Sequence, residues 1–150
     1  MPKKESGKLI VYTDGGSRGN PGPAALGVVI ADKKGRVIKK YGEKLGVKTN
    51  NEAEYEAVIF ALKKIKALFG KEKTKKMGVA FRMDSEFVMK QLNGGYKIEE
   101  ERMFPLFIAV WNLKFDFGEI TFSHVPREKN READRLVNEA LDKEQGRLWQ

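Results

Sequence analysis

Lys8-Leu9-Ile10-Val11-Tyr12-Thr13-Asp14-Gly15-Gly16-Ser17-Arg18-Gly19-Asn20-Pro21-Gly22-Pro23 is the stretch on which the fold turns. Its first seven residues are apolar on both alternations and end in aspartate. A strand that presents apolar side chains to both faces belongs in the middle of a sheet covered on both sides. The glycines, Asn20 and two prolines that follow read as a loop from Gly15 to Pro23. A carboxylate therefore stands at the end of a buried strand, beside a glycine-rich turn.

Outward from there, Ala24 to Asp32 and Arg36 to Leu45 read as a hairpin turning at Lys33-Lys34-Gly35. Thr49-Asn50-Asn51 supplies helix-start residues, and Glu52 to Phe69 carries apolar residues at helical spacing: Val58, Ala61, Leu62, Ile65, Leu68 and Phe69. After a lysine-rich loop come a strand from Val79 to Met83 and a short helix from Ser85 to Leu92. A helix near Pro105 to Phe115 follows, with the proline suited to its first turn. Glu119 to Val125 is a fifth strand, Pro126 to Asn130 a loop, and Arg131 to Lys143 an amphipathic helix. The order predicts an α/β fold, a mixed five-stranded sheet with helices on its faces. Residues 1–150 are expected to form one domain, with 1–7 and about 146–150 peripheral, although Leu148 and Trp149 are candidates for docking.

Four carboxylates break the rule that such groups face solvent. Asp14 shares a strand face with Ile10 and Tyr12. Asp84 ends another strand, and strand ends beside loops are where α/β sheets place their sites. Glu54 lies four residues before Val58 and so begins the apolar stripe of its helix. Asp134 precedes Val137 by three and borders the buried face of the last helix. Each has an ordinary reading as a strand terminator, a first-turn acid favoured by the helix dipole or a partner of Arg131 or Arg135. If the elements converge, four acids share one cleft and repel one another unless protons or a cation neutralise them. Oxygen-only ligation selects hard ions such as Mg²⁺ or Mn²⁺.

Tyr12-Thr-Asp-Gly-Gly-Ser-Arg-Gly-Asn-Pro-Gly22, Thr49-Asn-Asn-Glu-Ala-Glu54, Met83-Asp-Ser-Glu-Phe-Val88 and Asn130-Arg-Glu-Ala-Asp-Arg-Leu136 resemble, in order and spacing, the type 1 ribonuclease H family. The resemblance runs from about Leu9 to Leu141. It implies the ribonuclease H-like fold, a five-stranded mixed sheet with helices on both faces. It implies an endoribonuclease that cuts the RNA strand of an RNA/DNA hybrid and leaves 5′-phosphate and 3′-hydroxyl ends. Asp14, Glu54, Asp84 and Asp134 match the acids that hold two Mg²⁺ ions in the family, with Mn²⁺ as a substitute. Gly15, Gly16, Ser17, Asn20, Asn50 and Asn51 fall at or beside positions that meet the RNA strand. Glycine admits a sugar close to the backbone, and asparagine offers donor and acceptor to a 2′-hydroxyl. Thr49 and Ser85 match a pocket for a phosphate of the DNA strand. Asn20 and Asn51 also suit turn and cap duty.

The chain departs from the family in places. Glu86 stands where some relatives carry glutamine. The segment Asn93 to Arg102 holds Glu99, Glu100 and Glu101, where some relatives carry a basic, tryptophan-rich handle. The only histidine, His124, precedes Asp134 by ten residues but falls in the fifth strand. The shortened loop Arg127-Glu128-Lys129 has none, so Glu128 is the candidate for the turnover role that a loop histidine fills in relatives, by transient metal binding or proton transfer.

Composition bounds the rest. The 150 residues are 41% hydrophobic and 33% charged, enough for a core and a soluble surface. No apolar run approaches the roughly 18–20 residues of a membrane span. The first six residues show no secretory signal, and a chain without cysteine has no disulfide or thiolate chemistry. A cytoplasmic monomer that binds an RNA/DNA hybrid and no membrane is expected. The net charge of +8 points to a polyanion, or to a lysine- and glutamate-rich surface. It is uneven: Lys33 to Lys48 and Lys63 to Lys76 are each net +6, and the remainder is −4. These two stretches are candidates for gripping a duplex. The rival functions are a non-cleaving binder of the same fold, which would have no need of four acids, and a nuclease that also accepts double-stranded RNA.

Overall fold

The structure is a computed structural model and describes residues 7–148, with side chains through Lys143. The central strand is β1 (Lys8–Ser17), flanked by β2 (Gly22–Asp32) and then β3 (Val37–Lys48) on one side. On the other side lie β4 (Gly78–Met83) and β5 (Glu119–His124). The order β3-β2-β1-β4-β5 makes the expected five-stranded mixed sheet. β2 runs antiparallel to β1 and β3, while β4 and β5 run parallel to β1. Among the described residues five α-helices connect or close the strands: α1 (Asn50–Phe69), α2 (Lys71–Thr74), α3 (Glu86–Leu92), α4 (Phe104–Lys114) and α5 (Arg131–Leu148).

The two faces of the sheet are divided by residue parity. Leu9 and Val11 of β1, with Leu26, Val28 and Ile30 of β2, meet Tyr55, Val58, Leu62 and Ile65 of α1 in the main core. Val88 of α3 and Val110 of α4 join that core. Ala25 and Val29 point to the opposite face and meet Ala133, Leu136, Val137 and Leu141 of α5. α1 starts at a complete capping box: Thr49 Oγ1 accepts from the Glu52 N–H at 3.1 Å, and the Thr49 N–H donates to Glu52 Oε1 at 2.9 Å.

Four sequence expectations change. Gly15, Gly16 and Ser17 are not loop but the last residues of β1, paired with Leu26, Ala25 and Ala24. The glycine serves proximity rather than a turn. A Cβ on Gly15 would lie 2.3 Å from the backbone carbon of Ala53, so α1 rests directly on the strand there. The lysine-rich loop contains the short helix α2, anchored by Thr74 Oγ1, which donates to the Asp116 carbonyl at 2.7 Å. Gly7 is tied in as well, since its carbonyl accepts from the Gly78 N–H at 3.1 Å, and α5 continues past Lys143 to Leu148. The expected peripheral position of residues 1–6 and 149–150, and docking of the Leu148 and Trp149 side chains, lie outside the described residues.

Candidate active site

Two glycines let helices approach the end of β1 from opposite faces. Gly15 admits α1 and brings in Glu54. Its N–H donates to Glu54 Oε1 at 2.9 Å, which fixes the carboxylate against the strand. Gly27, the β2 partner of Asp14, admits α5, because a Cβ there would lie 2.1 Å from the Ala133 carbonyl oxygen. Asp134, the next residue of α5, is thereby carried to the same end of β1. β4 runs beside β1 with Thr13 opposite Met83, so Asp84 follows at the level of Asp14.

Asp14, Glu54, Asp84 and Asp134 line one cleft of about 280 Å³ with Gly15, Gly16, Ser17, Asn50 and Arg127. Carboxylate oxygens of Asp14, Glu54 and Asp84 lie within 4.8 Å of one another. Burial, followed by the charges of Asp84 and Asp134, pushes the Asp14 carboxyl up to about 8, against the opposing effect of the Gly15 N–H. Glu54 is raised well above its ordinary range by burial and then by Asp14 and Asp84. Asp84 is raised by burial, while the Arg127 guanidinium and a hydrogen bond from Asn130 pull the other way. The ionised cluster is thus held at a cost that a cation would remove. Three carboxylates from three elements, with only oxygen donors, fit a hard divalent ion. Asp14, Glu54 and Asp84 would hold it, with Asp134 lining the same cleft.

The residues proposed to meet substrate separate into groups. Gly15, Gly16, Ser17 and Asn50 line the acidic cleft itself. Asn50 Oδ1 accepts from the Ser17 N–H at 2.9 Å and from Ser17 Oγ at 3.1 Å, and the Asn50 N–H donates to Asn20 Oδ1 at 3.0 Å. This network ties the end of β1 and the turn after it to the start of α1. Thr49 and Ser85 are both helix caps, Ser85 Oγ accepting from the Val88 N–H at 3.3 Å. Asn51 faces a neighbouring cavity of about 400 Å³ shared with Phe87, Gln91 and Tyr96.

Glu128 is exposed on a 3-10 turn and does not line the cleft; its neighbour Arg127 does. His124 ends β5, is exposed and pairs with Met83. Two contributors were missed in the sequence. Arg127 had no signal, being one charge in an alternating loop. Asn130 is buried; its Nδ2 donates to the Thr13 carbonyl at 2.9 Å, and its amide helps hold the Asp84 carboxyl down against burial. Its place just before a helix was the available clue.

The basic stretches are also located. β3 carries Lys39, Lys40, Lys44 and Lys48 along an edge, where Lys40 pairs with Glu132 at 3.0 Å and Lys48 with Glu56 at 3.6 Å. Lys75 and Lys76 border Lys8 and Gly78, at the starts of β1 and β4. The carboxylates sit at the other ends of those strands, about 20 Å away over six residues.

Comparisons with known proteins agree with this architecture. A family model described as reverse transcriptase-like matches residues 12–140. Ribonuclease HI of Halobacterium salinarum is 40% identical over 136 residues, 91% of this chain and 65% of the relative. The bifunctional protein Rv2228c of Mycobacterium tuberculosis is 37% identical over 90% of this chain and 36% of its own length. The chain thus spans just under two thirds of the first relative and about a third of the second. Among solved structures, LC11-RNase H1, isolated from compost by a metagenomic approach, was crystallised in complex with an RNA/DNA hybrid. It is 46% identical, with a TM-score of 0.86 over 90% of this chain and 97% of that one. The sheet order and the strand-end carboxylates define a domain of the ribonuclease H-like fold. The chain belongs to the type 1 ribonuclease H family.

Proposed function

We propose that this protein is a metal-dependent endoribonuclease that hydrolyses the RNA strand of RNA/DNA hybrids. The observation that carries the proposal is the convergence of Asp14, Glu54, Asp84 and Asp134, from four elements, on one open cleft. A domain that only bound nucleic acid would be penalised by four acids placed where a phosphate must lie. The similarity to LC11-RNase H1, which was crystallised with a hybrid, supports the substrate class.

Two Mg²⁺ ions, or Mn²⁺ in their place, would there activate water and stabilise the leaving 3′-oxygen, giving 5′-phosphate and 3′-hydroxyl ends. The protein's own contribution is positional. The Gly15 N–H holds Glu54, and Asn130 ties the start of α5 to the Thr13 carbonyl beside Asp14. Arg18 and Arg127 both line the cleft, and Arg127, whose charge acts on Asp84 and Glu54, would meet a phosphate oxygen. Gly16, Ser17 and the Asn20–Asn50 pair present backbone and amide groups beside the acids, where the sugars of an RNA strand would pass. The absence of cysteine is compatible with work in a reducing cytoplasm, which is part of the proposal.

The test is a cleavage assay on end-labelled hybrid, duplex RNA and duplex DNA, each with Mg²⁺ and with EDTA. RNA-strand products from the hybrid that disappear in EDTA are expected. Binding without cutting would assign the domain to the non-cleaving class, and equal cutting of duplex RNA would broaden the substrate.

A further inference from the structure

α4 is apolar on every side, which in a water-soluble protein ordinarily marks a helix buried all round. Here it is not. Val110 is buried, and Leu106, Phe107, Ala109 and Leu113 pack partly against the main core. Phe104, Ile108, Trp111 and Phe115 stand outward at 43%, 54%, 51% and 67% exposure. Among the described residues nothing covers them. The spacings of four, three and four residues place all four on one face as a continuous stripe. Trp111 and Phe115 meet edge to face, with ring centroids 5.7 Å apart, and Lys114 Nζ lies 5.4 Å from the Trp111 ring.

We propose that this stripe is a dimer interface, on which α4 of a second copy of the chain lies antiparallel. Three observations select a second copy. The first is the symmetry of the stripe. Reversed end to end, the pattern 104, 108, 111, 115 maps onto itself. An antiparallel pair therefore sets Phe104 against Phe115 and Ile108 against Trp111, twice over. A two-fold interface requires such self-complementarity, and the alternating spacing is that of an antiparallel helix seam.

The second is charge. Glu99, Glu100 and Glu101 lie exposed just before the N-terminal end of α4, and Lys114 lies at its C-terminal end. Antiparallel pairing brings the acids of one copy towards the lysine of the other and opposes the two helix dipoles. The third is area. With large apolar side chains at roughly 200 Å² each when fully exposed, the four offer about 400 Å² per copy. Two copies supply roughly 800 Å², close to the roughly 900 Å² of apolar surface in a standard interface of about 1,600 Å².

The proposal departs from the monomer expected from the sequence. It leaves the carboxylate cleft free, because none of the four residues lines it. The stripe also lies on a helix packed against α1, whereas α5 covers the opposite face of the sheet.

Sedimentation equilibrium of the full chain from about 1 to about 500 µM tests the proposal over the affinities expected for an interface at the small end of the standard range. The mass should rise with concentration towards twice 17.0 kDa. Ile108→Glu, at an exposed position, should stay folded by circular dichroism, remain at one chain's mass and keep its activity on hybrid. A wild type that stays monomeric throughout, including one that instead partitions onto phosphatidylcholine vesicles, would overturn the proposal. So would a folded Ile108→Glu protein that still dimerises. Because the chain has no cysteine, the register is testable too. Ile108→Cys mixed with Trp111→Cys should form covalent dimers faster than either variant alone under mild oxidation, and equal rates would refute the antiparallel arrangement.

Discussion

Replacing Asp14 with asparagine removes one charge from the point where Glu54, Asp84 and Asp134 converge, while keeping nearly the same shape. In the folded protein burial and the neighbouring acids lift the Asp14 carboxyl from 3.8 to about 8. The folded chain therefore holds that proton more tightly than the unfolded chain. The stability contributed by the protonated form is complete below about pH 4 and is lost as pH rises through about 8. At about 1.4 kcal/mol per tenfold, the ceiling on this loss is about 6 kcal/mol. Relaxation of the cleft and screening by buffer cations reduce it to about 2–3 kcal/mol. For a domain of this length that corresponds to about 5–10 °C in melting temperature. In EDTA, Asp14→Asn should therefore melt about 5–10 °C above wild type at pH 9 and within about 2 °C of it at pH 4.5. Saturating Mg²⁺ at pH 9 should raise the wild type more than the variant. Differential scanning calorimetry at the two pH values measures all of this. A melting difference that is the same at pH 4.5 and pH 9 would refute the claim that the acids strain one another in the folded state.

Arg127→Ala should lower kcat/KM on hybrid by roughly 10–100-fold, the value of a hydrogen bond to a charged group, while Glu128→Ala stays within about threefold; the reverse ranking in steady-state kinetics would return the loop role to Glu128. Gly15→Ala places a Cβ 2.3 Å from the Ala53 backbone. Urea denaturation should show a loss of about 3 kcal/mol or more, and a neutral result would mean that α1 does not rest on β1. Changing Lys71, Lys73, Lys75 and Lys76 to glutamine should leave the salt dependence of hybrid binding nearly unchanged, instead of lowering its slope by about 3.6 as four phosphate contacts would.

How far the sequence reveals this site depends on what each residue reports. Asp14, Glu54, Asp84 and Asp134 are conspicuous because each interrupts an apolar face, and periodicity alone exposes such a break. The central place of β1 is legible for a similar reason, since a strand apolar on both alternations belongs inside a covered sheet. Gly15 and Gly27 are harder. A glycine that lets a helix approach looks the same in sequence as one that lets the chain turn, and the difference lies in Ala53 and Ala133, distant in the chain. Arg127 is hidden because its meaning depends on the fold of a three-residue turn. The lysine blocks show the converse limit. Their charge is plain in the sequence. Their position is not, because the directions of α1 and β4 carry the second block to the end of the sheet remote from the acids. The outward stripe of α4 reads as core for as long as only its hydrophobicity is considered.

The proposed function rests on the four carboxylates acting as a metal-dependent centre for cutting RNA paired with DNA. Its most direct test is hybrid cleavage by wild type and Asp84→Asn at saturating Mg²⁺, with hybrid binding measured on the same samples. RNA-strand products ending in 5′-phosphate and 3′-hydroxyl are expected for the wild type, and for the variant retained binding with cleavage reduced by about a hundredfold or more. Near-normal cleavage by Asp84→Asn would contradict it.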